Sequence, residues 1–249
     1  MKKLVIIPTY NEKENIVSIL KAVFSTDTGF HILVVDDGSP DGTAQLVKDS
    51  HPLYPDRLFL EQRTGKLGLG TAYIHGFKWA LARGYDYIFE MDADFSHDPA
   101  DLLRLFAACD QGGADVAVGS RYVKGGRTEN WPGDRIFLSK GASVYVRLIT
   151  RIPVKDATAG FVCYKKKVLE AIDLDAIKFV GYAFQIEMKF TAWKLGFKVI
   201  EVPITFTDRK LGESKMSKNI IKEGILGVLD MQWHSFLGRK KARKKPLGQ

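Results

Sequence analysis

The sequence predicts an α/β fold: a doubly wound, mainly parallel central sheet with helices on both faces. Three observations predict it. Short apolar runs at residues 4–7, 31–35, 58–61, 85–91 and 114–119 alternate with stretches of helical periodicity, the pattern of strands joined by crossover helices. Clusters of Gly, Pro, Asp and Ser punctuate them as turn formers. Polar residues collect at 8–12, 36–41, 92–96 and 119–121, each where a strand should end, and open sheets of this class bind ligands beyond their strand C-termini. The 249 residues suit one large domain or two small ones. An apolar content of 45% with 27% charged residues excludes disordered, collagenous and coiled-coil chains.

Residues 4–7 form a buried strand closed by Pro8. The helix expected over 11–24 places Ile16, Ile19, Leu20 and Val23 on one face, with Asn11 as cap and Glu12 and Glu14 at the positive end of its dipole. The second strand, 31–35, runs into Asp36-Asp37-Gly38-Ser39, and Ser39-Pro40-Asp41-Gly42 turns the chain into a helix over 43–48. A third strand at 58–61 precedes the Gly65–Gly70 loop and a helix over 71–83. The fourth, 85–91, ends in Asp92-Ala93-Asp94; Asp98-Pro99-Ala100-Asp101 then opens a helix reaching 108. The fifth, 114–119, ends at Ser120-Arg121. Beyond Tyr122 the alternation weakens. Residues 124–135 read as loop, 137–149 as helix, and 156–164 and 199–206 as strands flanking a helix at 184–195. Residues 208–218 read as a polar loop. A helix over 220–237 carries Ile221, Ile225, Val228, Leu229, Trp233 and Phe236, although Gly224 and Gly227 weaken it. The basic tract 239–245 follows.

The formal charge of +8 is unevenly spread. Residues 1–207 carry 26 basic and 25 acidic side chains, whereas residues 208–249 carry 11 and 4. The body is nearly neutral, and the excess at the end suits an anionic membrane or a phosphorylated substrate better than nucleic acid. Cys109 and Cys163 lack C-x-x-C spacing and read as small core residues in a reducing cytosol. Lys2-Lys3 is followed by only four apolar residues before Pro8, too few for a secretory leader. No uncharged run approaches the roughly 20 residues that span a bilayer.

Asp92-x-Asp94 at a strand end is the outline of a hard-cation site, since two carboxylates one residue apart can reach one Mg²⁺ or Mn²⁺. Ser96 or His97 could add a ligand; two solvated loop acids are the plainer alternative. Asp36-Asp37 can accept from a nucleobase or ribose, or can cap a turn, and adjacent side chains point apart, so one at most faces a ligand. Gly65-Lys66-Leu67-Gly68-Leu69-Gly70 lacks the Gly-Lys-Ser/Thr of a triphosphate loop and the third glycine of a dinucleotide fingerprint, and reads as a flexible loop before a helix N-terminus. Arg121, Arg135, Arg209 and Lys215 are basic residues in polar loops, either phosphate ligands or solvated charges. Arg209 and Lys215 share one glycine-containing stretch with the character of a flap. His75 and His234 have no partner at ligand spacing and read as structural.

Four motifs carry a resemblance: Pro8-Thr9-Tyr10-Asn11-Glu12, Val35-Asp36-Asp37-Gly38-Ser39-Pro40-Asp41-Gly42-Thr43, the Gly65–Gly70 loop, and Met91-Asp92-Ala93-Asp94-Phe95-Ser96-His97. With Gly119-Ser120-Arg121-Tyr122, Asn130-Trp131-Pro132, Gly181-Tyr182-Ala183-Phe184-Gln185-Ile186-Glu187 and Asp208-Arg209-x-x-Gly212-Glu213-Ser214-Lys215, they resemble, in order, the inverting family 2 glycosyltransferases. Within these, they are similar to the dolichol-phosphate (polyprenol-phosphate) mannose synthases over about residues 3–220. The resemblance implies a single Rossmann-like nucleotide-sugar transferase domain of the GT-A type over residues 1–217, with a terminal helix and basic tail over 218–249. It implies GDP-mannose as donor and a polyprenyl phosphate as acceptor. By resemblance, Pro8, Tyr10, Glu12, Val35 and Asp37 line the guanosine pocket, and Asp92, Ala93 and Asp94 hold a Mg²⁺ or Mn²⁺ ion and the diphosphate. Arg121 lies by sugar and acceptor, Arg209 and Lys215 bind phosphates, and Arg135 and Asp156 lie near the acceptor. Ser96 stands where some relatives use Gln as a metal ligand.

The lipid acceptor implies a peripheral position on the cytoplasmic face of a membrane, either directly or on a small membrane-anchoring partner. Residues 137–149 and the helix over 220–237 with its basic tail are the expected contacts. Three alternatives differ in donor or class. UDP-glucose or UDP-N-acetylglucosamine could replace GDP-mannose. A nucleic-acid-binding protein would use the basic C-terminus but lacks a binding motif. An inactive nucleotide-sugar sensor would not need Asp92, Asp94, Arg209 and Lys215.

Overall fold

The computed structural model describes residues 1–26, 29–208 and 227–233. The five N-terminal apolar runs are strands β1 (Lys3–Thr9), β2 (Phe30–Asp36), β3 (Leu58–Gln62), β4 (Tyr87–Glu90) and β5 (Val116–Ser120). Later come β6 (Arg127–Glu129), β7 (Val162–Lys165), β8 (Val199–Pro203) and β9 (Thr205–Thr207). The central sheet has the order β3-β2-β1-β4-β7-β5-β8. Every neighbouring pair is parallel except those of β7, which runs antiparallel to both β4 and β5.

Alternation along the strands supplies two cores. Val5, Ile7, Ile32 and Val34 face one side, under α1 (Ile16–Thr26), α2 (Thr43–Ser50) and α4 (Asp101–Asp110). Leu4, Ile6, Leu33 and Val35 face the other, under α3 (Leu69–Ala82), α6 (Lys166–Ala171) and α7 (Tyr182–Lys194). Burial on both faces explains why these strands read as unbroken apolar runs. Gly76 lets α3 lie directly on β1, since a Cβ there would sit 2.8 Å from Ile6. A third cluster joins α5 (Gly133–Thr150), α7 and the helical residues 227–233 through Val146, Ile186, Phe190, Val228 and Met231. Helix α7 is therefore buried on opposite flanks, with Phe184 and Met188 on the sheet and Ile186 and Phe190 on α5.

The structure departs from the sequence expectation in several places. Helix α1 starts at Ile16, and Asn11 is not its cap: Asn11 adopts φ +57°, donates its amide to Ser39 Oγ (3.0 Å), and leaves residues 12–15 to form a turn. Only the end of the expected strand 156–164 pairs in the sheet; residues 156–159 turn, with the Ala159 amide on the Asp156 carbonyl (3.3 Å). The run 199–206 splits into β8 and β9 around Ile204, and β9 pairs in parallel with β6, inside a stretch expected to be loop. Helix α5 begins at Gly133, earlier than expected. Arg209, Lys215, His234, the loop after Asp208, the tail 239–245 and most of the expected helix 220–237 lie outside the described residues. Among the described residues no helix is long and apolar enough to cross a membrane.

Candidate active site

The site forms where β1, β2, β4 and β5 end. β7 runs in the opposite direction, so the turn that leads into it reaches the same edge.

On the β1–β2 side, Asp36 and Asp37 point apart. Asp36 is fully buried and holds the turn, accepting from Thr9 Oγ1 (2.8 Å), Ser39 Oγ (2.6 Å) and the Ser39 amide (2.9 Å). Asp37 turns toward the Gly65–Gly70 loop. Its Oδ1 pairs with the Arg63 guanidinium (Nε at 2.6 Å), and its Oδ2 accepts the Leu67 amide (3.1 Å). Arg63 also donates to Thr71 Oγ1 (2.8 Å). The glycine loop is thus fastened rather than loose, and it is tied on its other flank by the Gly70 amide on the Val180 carbonyl (2.8 Å). Gly70 has no room for a side chain, because a Cβ would meet the Phe179 carbonyl at 2.7 Å and the Phe184 ring at 2.9 Å. Arg63, a lone Arg directly after edge strand β3, carries no local signal in the sequence. Pro8 and Val35 sit side by side in the β1–β2 register, and the Val35 side chain is wholly in the core, leaving only its backbone at the strand end. Lys66 Nζ lies 4.9 Å from the Tyr10 ring centroid. The Glu12 amide donates to Thr43 Oγ1 (3.0 Å), and its Oε2 accepts from Asn15 Nδ2 (3.0 Å).

β4 delivers Asp92 half-buried and Asp94 buried. Asp94 Oδ1 accepts the Ser96 amide (3.0 Å), closing a tight turn in which Phe95 is forced to φ +60°. A bulky residue in that region is strained, and such strain concentrates at functional turns. Ser96 is buried beside them. Two carboxylates on a rigid turn offer the oxygen donors a hard divalent cation takes, with diphosphate and water completing its shell. Among the described residues no larger cluster of Asp, Glu, His or Cys forms a metal centre. His97 turns away into the core, stacked on Phe161 with ring centroids 4.8 Å apart. Burial pushes its pKa down to about 4, despite the opposing pull of Asp94.

Behind this turn, Glu90 and Lys189 are both fully buried. Burial drives the Glu90 carboxyl up and the Lys189 ammonium down, and each charge pulls the other back. Lys189 Nζ donates to the Ala159 carbonyl (2.6 Å), bracing the turn before β7.

β5 runs directly into Arg121, whose side chain is 8% exposed. Asp156, fully buried, takes it bidentately, with Nε to Oδ2 at 2.7 Å and NH2 to Oδ1 at 2.6 Å, and also accepts the Arg121 amide (2.9 Å). Thr158 Oγ1 adds a contact at 3.0 Å. Asp156 therefore fixes Arg121 from a turn, where a strand was expected. Arg135, on the first turn of α5, pairs with Asp208 Oδ1 (2.9 Å) and lies 4.1 Å from the Trp131 ring centroid. The structure thus gathers Asp92, Asp94, Ser96, Arg121 and Asp156 around the ends of β4 and β5, with Arg135 beside Arg121 across the Trp131 ring. Pro8, Val35 and Asp37 lie along the adjoining β1–β2 ends.

The family model described as glycosyl transferase family 2 matches residues 4–173. The chain is 51% identical to the polyprenol monophosphomannose synthase of Mycolicibacterium smegmatis, over 92% of this chain and 86% of that protein. It is 44% identical to the undecaprenyl-phosphate mannosyltransferase of Micrococcus luteus, over 96% and 99% respectively. Among solved structures, it shares its fold with glucosyl-3-phosphoglycerate synthase from Mycobacterium tuberculosis, crystallised with Mn²⁺, UDP-glucose and phosphoglyceric acid. That match has a TM-score of 0.68 and 16% identity, and covers 93% of this chain and 80% of the other.

Proposed function

Because the chain belongs to glycosyl transferase family 2, we propose that it transfers mannose from GDP-mannose to a polyprenyl (dolichyl-type) phosphate, with inversion at the anomeric carbon. The observation that carries this reading is that the Asp92-x-Asp94 turn and the Asp156-held Arg121 stand on one edge of the sheet, at the ends of β4 and β5 with only β7 between them. The specificity for mannose and a polyprenyl phosphate follows from the relatives at 51% and 44% identity.

In this reading Pro8, Tyr10, Glu12, Val35 and Asp37 hold the guanosine. Asp92 and Asp94, with Ala93 and Ser96 beside them, would hold Mg²⁺ or Mn²⁺; when bound, that ion neutralises charge on the departing diphosphate. Arg121 stands by the sugar, Arg121 and Arg135 receive the acceptor phosphate, and Arg209 and Lys215 neutralise the diphosphate. Bond making and breaking are simple: an acceptor phosphate oxygen bonds to the anomeric carbon as the bond from that carbon to the diphosphate oxygen breaks, and GDP leaves. Attack from the opposite face turns the α-linked donor into a β-mannosyl phosphoryl lipid. A phosphate monoester has a second pKa of about 6 and is already ionised at pH 7, so no general base is required. The engagement of both Asp156 oxygens by Arg121 agrees with that economy.

A single incubation tests the reading: the purified chain with Mn²⁺, polyprenyl phosphate and labelled GDP-mannose, UDP-glucose and UDP-N-acetylglucosamine in parallel. Label should enter lipid from GDP-mannose alone. Transfer from either UDP-sugar instead would move the donor assignment.

The acceptor also requires a membrane, and we place the chain peripherally on its cytoplasmic face or on a small anchoring partner. Helix α5 supports this: Phe137 and Leu148 are 81% and 74% exposed, with Lys140 and Arg147 exposed on the same helix. Interfacial helices combine such apolar and basic side chains. Replacing both Phe137 and Leu148 by Asp should abolish sedimentation with anionic vesicles. Undiminished sedimentation would remove α5 from the contact.

A further inference from the structure

Trp131 is the shared neighbour of the two arginines. Its ring centroid lies 4.1 Å from Arg135 Cζ and 5.3 Å from Arg121 Cζ. Each guanidinium also has a carboxylate partner, Asp156 for Arg121 and Asp208 for Arg135. The indole is itself fixed, edge-on to Phe206 with centroids 5.2 Å apart, and Phe206 is fixed edge-on against His97. Phe206 adds a second ring face 5.3 Å from Arg121 Cζ.

Two like charges in a partly buried place repel, and Arg135, on a long flexible stem and about a third exposed, would otherwise extend into water. The negative face of an aromatic ring attracts both without neutralising either. The other explanation for a tryptophan here, a needed N–H, fails: Nε1 is buried and has no hydrogen-bond partner among the described residues. The ring face is what the position uses.

We propose that Trp131 is a positioning residue for the acceptor: its indole holds the Arg121 and Arg135 guanidinium groups together, so that one phosphate monoester meets both. This rests on the reading of these arginines as the acceptor-phosphate ligands. The phosphate joins the carboxylates around the two guanidinium groups, with Asp156 still holding Arg121, while the indole stays in place beneath them.

The test measures binding rather than turnover, so a mistaken donor leaves it intact. Calorimetric titrations use the full chain with Mn²⁺, once with geranyl phosphate and once with GDP, for wild type, W131L and W131F. W131L should lose about tenfold in geranyl phosphate affinity while GDP affinity is unchanged. W131F keeps a ring face and removes the unpartnered N–H, so it should recover most of that loss. If W131L does not fold, W131M takes its place. Three results overturn the inference: W131L binding geranyl phosphate like wild type, W131L losing GDP affinity in parallel, or W131F binding as weakly as W131L. Wild type failing to bind geranyl phosphate at all would overturn the acceptor reading itself, and the inference with it.

Discussion

Replacing Asp92 by alanine should lower mannose transfer about a thousandfold, since a bound metal supplies several kcal/mol of stabilisation to a departing oxyanion. The loss should fall on turnover, while the thermal midpoint of unfolding stays close to that of wild type. Asp92 is half-buried on a turn whose backbone is held by Asp94 and Ser96, so its removal leaves no hole in the core. Adding excess Mn²⁺ should not restore activity. Single-turnover transfer at the wild-type rate in the Asp92→Ala protein would end the assignment of this turn as the metal site. A large stability loss would instead make Asp92 part of the framework.

The second large effect is of the opposite kind. Asp156→Ala should reduce folding stability by about 3–5 kcal/mol, because it leaves the Arg121 guanidinium buried without its carboxylate. In a chain of this size that corresponds to a fall in Tm of about 10 °C. Asp156→Asn keeps the shape and part of the hydrogen bonding, so it should lose less stability. Both variants should lose transfer, since Arg121 is then no longer held at the end of β5. Chemical denaturation separates the two consequences. An unchanged midpoint in Asp156→Ala would mean that the clamp contributes nothing to the fold. Transfer surviving in a folded Asp156→Ala protein would mean that Arg121 needs no holding.

Much of this architecture is legible in the sequence, for identifiable reasons. β1 and β2 are buried on both faces, so their residues read as continuous apolar runs whatever the rest of the chain does. The Asp92-x-Asp94 turn is legible because a strand and its polar ending are contiguous. What escapes is set by contacts distant in sequence. Nothing in Val162–Lys165 states that this strand runs against its neighbours. The turn at 156–159 holds Arg121, a partner that follows a strand distant in sequence. Asn11 resembles a helix cap, but Ser39 takes its amide and the turn at 12–15 delays the helix. Arg63 and Trp131 gain their roles from Asp37 and from two arginines brought together by folding.

The reversed strand β7 also imposes an order of assembly. β1 to β4 are neighbours of one another, so this part of the sheet is complete once residue 90 has been made. β5 has no place beside them: its neighbours in the sheet are β7 and β8, which arrive much later in the chain. Closing such distant pairings is the slow part of building a sheet. During synthesis the half bearing Asp37 and Asp92 can therefore take shape while Arg121 still hangs on an unattached strand. A chain halted before β7 would carry the half of the site at the ends of β1, β2 and β4 with nowhere to dock the other.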